Sequence, residues 1–371
     1  MRILLIGEAS YAHSTLRDGL AALGHDVVLM SDGNAHRGCP RDIDLRRDMR
    51  WGKLGGLKVV WTILRNIRRL SGNDIVQIHN YQFVPLKMGW NKMLISYLKR
   101  HNRRLVKGCY GDDPLVLERQ LEGVPAYSDM YWQGEARNIE ENRERLAEQR
   151  LPECVACFDK AAACADAFAA CLYEYYLAYD MEPYRGRLHY LPLPMHQPGV
   201  ARVKGTGGKI SVLVGIQARR DYLKGARKIA RMVEEVARRH PGRLEIMYVE
   251  DVPYDEYCAM LERADVQVDQ LYSYTPSMNS LAAMARGTVV IGGGEEDFYR
   301  FIGEKELRPI INVSPVKSFE ENVACLERAL LTEGNVERLS RQSMEFVRKH
   351  HDYRKVAAKY VAMYEQLLGG K

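Results

Sequence analysis

Apolar positions along the chain follow two alternating rhythms. Short, near-continuous apolar runs such as RILLIG (2–7), GHDVVLM (24–30) and NDIVQIHN (73–80) are separated by stretches with helical spacing, the first over about 13–23. Near-continuous runs suit parallel strands covered on both faces. RRLVKGCYG (103–111), DAFAACL (166–172) and LHYLPLP (188–194) extend the series. MHQPGVARVKGTGG (195–208) then breaks the pattern with Pro and Gly and reads as a linker. A second series follows: KISVLVG (209–215), RLEIMYVE (243–250), ADVQVDQL (264–271), GTVVIGG (287–293) and RPIINVS (308–314). Amphipathic helices are predicted over 224–239 and 352–368, and the Glu-rich stretch 135–153 reads as a surface helix or an insertion. Alternating strands and helices predict an α/β protein with two doubly wound, Rossmann-like domains, 1–195 and 209–350. Two such domains facing each other hold ligands at the carboxyl ends of their strands.

Composition adds boundaries. A length of 371 residues accommodates two or more domains. No run of 18 apolar residues occurs, so no membrane span is expected. The N-terminal apolar run is too short for a signal segment, which points to the cytoplasm and to reduced thiols for the eight cysteines. Cys154, Cys157, Cys164 and Cys171 share the stretch CVACFDKAAACADAFAAC. A buried small-residue face is the preferred reading over a metal site, because zinc frameworks usually pair their ligands on loops.

The net charge of +6 is unevenly spread, since residues 46–107 hold 15 Lys and Arg against Asp48 and Asp74, a local +13. The same segment carries Trp51, Trp61, Trp90 and helically spaced apolar residues. It reads either as a solvated basic face or as a helix lying on an anionic membrane surface. No nucleic-acid-binding module is recognisable, so no nucleic-acid partner is expected.

Candidate chemistry gathers where strands end. GIQARRDYLKG follows the strand 209–215 and offers Arg219 and Lys224, two cations beside a helix start that suit a diphosphate, against the alternative of surface charge. YSYTPSMN (272–279) leads into another helix, with Ser277 or Asn279 as its cap and Gly287 at its end. The glycines 292–294, Gly293 among them, either let the backbone approach a ligand or form a plain turn. In the N-terminal half, GEASYAHST retains only Gly7 and lacks G-x-G-x-x-G, so no dinucleotide fingerprint is present. His13 lies near this helix start, in a cleft-facing or a structural role. His79 ends the strand 73–80, and YGDDP (110–114) places Asp112 and Asp113 at the next strand end, to orient an acceptor hydroxyl or to form a turn.

These segments resemble the retaining, nucleotide-sugar-dependent glycosyltransferases of the GT-B fold, those of family 4 and group 1. DIVQIH is similar to their D-(V/I)-(V/I)-H-x-H strand, and GIQARRDYLKG to their G-R-x4-K-G loop with the Gly displaced. ADVQVDQLYSYTPSMNSLAAMARGTVV aligns without a gap on A-D-V-x-V-x-P-S…L-E-A-M-A-x-G-x-P-V-V. The resemblance implies two facing Rossmann-like domains, with 351–371 packing back on the first. It also implies an enzyme that moves a sugar from a UDP- or GDP-linked donor to a polysaccharide or lipid-linked glycan, with no metal and no further cofactor. Arg219, Lys224, Tyr274, Ser277 and Asn279 would then stand on the donor side, and His79 and Asp112 would be catalytic. The family's Glu-x7-Glu pattern is replaced by Tyr274 and Ala282, with Asp269 and Asn279 as nearby polar substitutes. That departure keeps open a catalytically inactive relative that binds or scaffolds in glycan assembly. An epimerase on the same architecture aligns less well.

Overall fold

Parallel pairing of the apolar runs builds two sheets. The computed structural model describes residues 1–34, 38–250, 252 and 254–370. Of the first nine strands, β1 (Arg2–Ile6), β2 (Asp26–Ser31), β3 (Ile43–Asp44), β4 (Ile75–Ile78), β5 (Arg104–Cys109), β8 (Ala167–Ala170) and β9 (Leu188–Tyr190) form one seven-stranded sheet, while β6 (Tyr131–Trp132) and β7 (Glu135–Ala136) pair as a separate antiparallel hairpin. The large sheet is parallel throughout, in the order β3-β2-β1-β4-β5-β8-β9. The remaining strands, β10 (Ile210–Ile216), β11 (Leu244–Glu250), β12 (Val266–Val268), β13 (Val289–Gly292) and β14 (Ile310–Asn312), form a second parallel sheet ordered β11-β10-β12-β13-β14.

The helices of the first half are α1 (Ala12–Ala22), α2 (Gly52–Arg65), α3 (Met88–His101), α4 (Pro114–Leu121), α5 (Glu140–Gln149), α6 (Pro152–Cys164) and α7 (Tyr173–Tyr179). Those of the second half are α8 (Asp221–Lys224), α9 (Ala226–Arg239), α10 (Tyr254–Arg263), α11 (Met278–Ala285), α12 (Glu296–Phe301), α13 (Phe319–Leu331), α14 (Asn335–Phe346) and α15 (Tyr353–Gly369).

Two units result. The first comprises Met1–Arg119, Asn142–Pro194 and Tyr353–Lys371, the second Gln120–Glu141 and Met195–Asp352. The boundary drawn from sequence at 195 therefore differs in one respect, because residues 120–141 leave the first half of the chain and pack with the second unit.

In the N-terminal unit the period-2 alternation of each strand feeds two cores. Leu4, Ile6, Val76, Ile78, Leu105 and Phe168 face α2, α3 and α6. Ile3, Leu5, Leu29, Ile75, Val106 and Ala169 face α1 and α15, which contributes Val356, Ala357, Tyr360, Met363 and Tyr364. Gly19 of α1 lets these two helices touch, since a Cβ there would fall 2.8 Å from that of Ala357. Cys154 and Cys157 are buried on α6, and Cys164 and Cys171 are buried beyond them; all four are free thiols. The side chain of Cys258 lies outside the described part.

In the C-terminal unit, Val212, Val214, Val266, Val268, Val289 and Ile291 pack on α9 and α13. The chain ends α14 with a π-helical turn, Val347–His351, and Met195 pairs with Asp352 at the unit's edge. Glu304 anchors that turn. Its side chain, 1% exposed, accepts from Lys349 Nζ at 2.8 Å and His350 Nε2 at 2.5 Å. Burial alone would raise the carboxyl, but these bonds and the amides of Glu306 and Leu307 hold it well below the usual carboxylate range. A depressed carboxylate contributes stability above its unfolded value of 4.5, and that stability is lost as pH falls. Glu304→Gln is expected to cost about 2 kcal/mol at neutral pH and to weaken the acid dependence of the melting temperature below pH 4.5, read by calorimetry across pH.

Candidate functional site

In the C-terminal unit, β10, β12 and β13 end side by side and deliver three connections. After β10 the chain turns through Ala218–Arg220 into the one-turn α8, and Gly225 (φ 66°) reverses it into α9. A Cβ at Gly225 would fall 2.9 Å from the Tyr272 ring, so glycine serves both the left-handed conformation and the close approach. Arg219 is exposed and Lys224 half-buried in this loop. The Lys224 carbonyl accepts from Leu271 N at 2.7 Å, which ties the cationic loop to the segment after β12. Asp221 Oδ1 receives the amide of Arg227 at 3.1 Å in the first turn of α9.

The segment 269–279 is braced from within. Asp269, 4% exposed, accepts from Ser277 Oγ at 3.0 Å and from Ser280 Oγ. Ser277 occupies the N-cap position of α11, yet its hydroxyl makes no capping bond because Asp269 takes it. Asn279 donates to Tyr257 Oη at 3.1 Å, and Tyr257 packs its ring over Gly215. Asp269 is thus a brace for the loop. The three glycines after β13 have a packing reason as well: a Cβ at Gly293 would lie 1.8 Å from the Ser273 carbonyl oxygen, and one at Gly294 would lie 2.8 Å from Ile310 Cβ. Gly293 admits the neighbouring backbone, which replaces the expectation of a close-lying ligand as the reason for glycine there.

Residues 120–141 cover this loop. Tyr127 stacks on Tyr274 with ring centres 4.4 Å apart and planes at 26°, and donates to Glu295 Oε1 at 2.9 Å. Tyr274 is 5% exposed. Arg137 lies 4.3 Å over the Tyr272 ring, and its Nη1 donates to the carbonyls of Asp129 at 2.8 Å and Tyr222 at 3.2 Å, the latter within the cationic loop. Lys228 donates to Tyr272 Oη at 2.7 Å and lies 4.8 Å from the Trp132 ring. The hairpin is therefore fastened by cation–π and hydrogen-bonded contacts on the first turn of α9.

The N-terminal unit gathers Gly7, His13, His79, Asp112 and Asp113 at the ends of β1, β4 and β5. Gly7 (φ 82°) is pressed against His79, whose Nδ1 would fall 1.9 Å from a Cβ there. His79 Nδ1 is buried without a hydrogen bond, and burial pushes the imidazole down to about 4, so it is neutral near pH 7. His13 is fully buried, with Nδ1 2.8 Å from the Gly7 carbonyl and Nε2 3.1 Å from Gln77 Nε2; burial pushes it down to about 3. It is a core residue of the α1 start. Glu8 fills that helix start from inside, accepting from the amides of Ala9, His13 and Ser14 at 2.8, 3.1 and 2.9 Å. A carboxylate already occupies the positive end of α1, which leaves that end unsuited to a phosphate.

The paired aspartates divide. Asp112 is half-buried and bound to Arg145 at 2.7 Å. Asp113 is fully buried, accepts from Lys107 Nζ at 3.0 Å and from Tyr179 Oη, and receives the amide of Val116 at 2.9 Å. Asp113 is a core ion-pair partner rather than an acceptor-facing group.

Residues 219–362 match the family described as glycosyl transferase-like. Among solved structures, sucrose-phosphate synthase from Thermosynechococcus elongatus aligns over 100% of both chains with TM-score 0.58 and 14% identity. WaaG, a glycosyltransferase involved in lipopolysaccharide biosynthesis, aligns over 99% of this chain and 100% of its own, with TM-score 0.58 and 11% identity. Anabaena HepE, solved in complex with UDP-glucose, aligns over 99% of this chain and 100% of its own, with TM-score 0.55 and 11% identity. The chain has the GT-B fold. No curated protein sequence matches the chain.

Within the GT-B fold, Arg219, Lys224, Asp269, Tyr274, Ser277, Asn279 and Gly293 all fall at the carboxyl edge of the C-terminal sheet. The residues that sequence reasoning missed are Glu8, Tyr127, Arg137 and Tyr257. Glu8 left a signal, an acid where a Gly-rich loop would stand, whereas Tyr127 and Arg137 reach partners as far as 168 and 135 positions along the chain and left none. Asp113→Asn is expected to cost about 3–5 kcal/mol in denaturant titrations by stranding Lys107, against less than about 1 kcal/mol for Asp112→Asn. Arg137→Ala should speed chymotryptic cleavage at Tyr131 and Trp132 about fivefold, the factor implied by about 1 kcal/mol of cation–π contact. Unchanged cleavage would show that the hairpin is held by other contacts.

Proposed function

We propose that this chain is a glycosyltransferase that moves a sugar from a UDP- or GDP-linked donor to a polysaccharide or lipid-linked glycan presented at the cytoplasmic face of an anionic membrane. The observation that carries the reading is the cationic loop. Arg219 and Lys224 flank a turn that is tied through the Lys224 carbonyl to Leu271, inside the segment matching the glycosyl transferase-like family. In the reaction the acceptor oxygen forms a bond to the anomeric carbon, and the bond from that carbon to the diphosphate breaks. The nucleoside diphosphate leaves with the electron pair, and the acceptor proton passes to a base. Arg219 and Lys224 would bind the diphosphate and stabilise its developing charge without requiring a metal. On the N-terminal unit, His79 presents a neutral imidazole at neutral pH, the state of a proton acceptor. Asp112, held by Arg145, is proposed to orient an acceptor hydroxyl.

A second reading has one specific support. Tyr274 and Ala282 stand at the two glutamate positions of the resembled pattern, and Tyr274 is buried under Tyr127. A diphosphate-binding protein without transfer activity would look the same at these positions. Calorimetry with UDP and GDP, followed by turnover across a donor panel, separates the two: binding without turnover favours the second. Arg219→Ala with Lys224→Ala is expected to weaken nucleotide affinity about 100-fold, from about 1.5 kcal/mol per lost charge-assisted contact. Affinity unchanged in that double variant would remove the diphosphate assignment.

A further inference from the structure

Helix α2 has two apolar faces. Val59 and Ile63, 1% and 5% exposed, point into the core. Leu54, Leu57, Trp61 and Leu64 form a stripe on the opposite side and are 64%, 62%, 58% and 60% exposed. Met49 and Trp51, just before the helix, are 72% and 58% exposed. On α3, which packs into the same core from the same side of the sheet, Trp90 and Met93 are 40% and 52% exposed. Scattered exposed apolar side chains are ordinary, but a continuous stripe of large ones marks an interaction surface.

Charge identifies the occupant. Lys58, Arg65, Arg68 and Arg69 are exposed along the same helix and its C-terminal extension, and none of them makes an ion pair among the described residues. Arg65 lies 5.2 Å over the Trp61 ring, which keeps a cation beside the apolar stripe. A protein partner would have to bury this stripe and also neutralise the cations that flank it. An anionic bilayer does both, because its headgroups take the cations and its acyl boundary takes Leu and Trp side chains lying in the interface plane.

We propose that the outer face of α2 seats in the surface of an anionic lipid bilayer, with the exposed Trp90 and Met93 of α3 as further apolar groups on the same side of the sheet. The inference rests on the membrane-presented acceptor proposed above for its purpose, but on the exposed stripe and its cations for its evidence. The N-terminal unit would thereby be held where lipid-linked acceptors are found.

The full chain is sedimented with vesicles of phosphatidylcholine alone and of phosphatidylcholine with phosphatidylglycerol. At least tenfold stronger partition onto the anionic vesicles is expected, weakening as salt rises. Leu57→Glu with Trp61→Glu should abolish that partition, and Arg65→Ala with Arg68→Ala should reduce the preference for anionic lipid about tenfold. Both changes replace exposed side chains, so circular dichroism and the calorimetric response to UDP and GDP should match the parent chain. Equal, negligible sedimentation with both vesicle types overturns the proposal. So does a concentration-dependent dimer that the Leu57/Trp61 variant dissolves while vesicle binding stays absent. Vesicle binding without donor binding would leave the docking face standing and the transferase reading fallen, and the reverse result would remove only the docking face.

Discussion

The contact between Tyr127 and Tyr274 decides what the C-terminal unit presents. Two rings at stacking distance, one of them tied to Glu295, turn a loop at the edge of a parallel sheet into a covered, defined surface. Without that cover the loop 269–279 would expose Tyr272 and Tyr274, both of which are now buried. Beneath it, the Ser273 carbonyl lies so close to residue 293, just past β13, that this position must lack a Cβ. Asp269 fixes the loop from beneath through Ser277 and Ser280. The cationic turn 219–224 inherits its place from the same arrangement, through Leu271 on one side and Arg137 on the other.

The N-terminal unit uses the same architecture with different chemistry at the corresponding edge. Its first helix begins with a carboxylate bonded to three amides, and a buried neutral histidine packs behind it. Burial pushes that Glu8 carboxyl up from its ordinary value, and the amides pull it back. Two Rossmann-like units thus differ at the point where such folds commonly meet phosphate: Glu8 takes three amides at the start of α1, whereas Asp221 takes one at the start of α9, and only the second start is preceded by a turn carrying Arg219 and Lys224.

Much of this was legible in the residues, for physical reasons. Parallel strands buried on both faces must be apolar throughout, so β1, β4, β10 and β13 announced themselves as runs. The strong 3.6-residue periodicity of 226–239 and the amphipathic pattern before Leu368 did the same for α9 and α15. The two-residue strand β3 and the hairpin β6–β7 were invisible, because two residues carry no periodicity. The division of labour between Asp112 and Asp113 was also hidden. Adjacent residues in a turn point in different directions, and only the packed position of Lys107 and Tyr179 shows which carboxylate is interior. Asp269, read as a polar substitute for a missing glutamate, gives its Oδ2 to two serine hydroxyls that lie 8 and 11 residues ahead, while its Oδ1 is buried without a hydrogen bond.

Helix α15 closes one face of the first sheet with five buried side chains, and Tyr364 Oη reaches Gln77 at 2.8 Å across most of the sequence. On the ribosome, that helix emerges only after every residue of 195–352 has been made. The strand positions Ile3, Leu5 and Val106 must therefore wait in water, or under a chaperone, until the chain has been made past the second unit. The unit that holds β1 is thus completed only after the unit that holds β10 to β14 has been made.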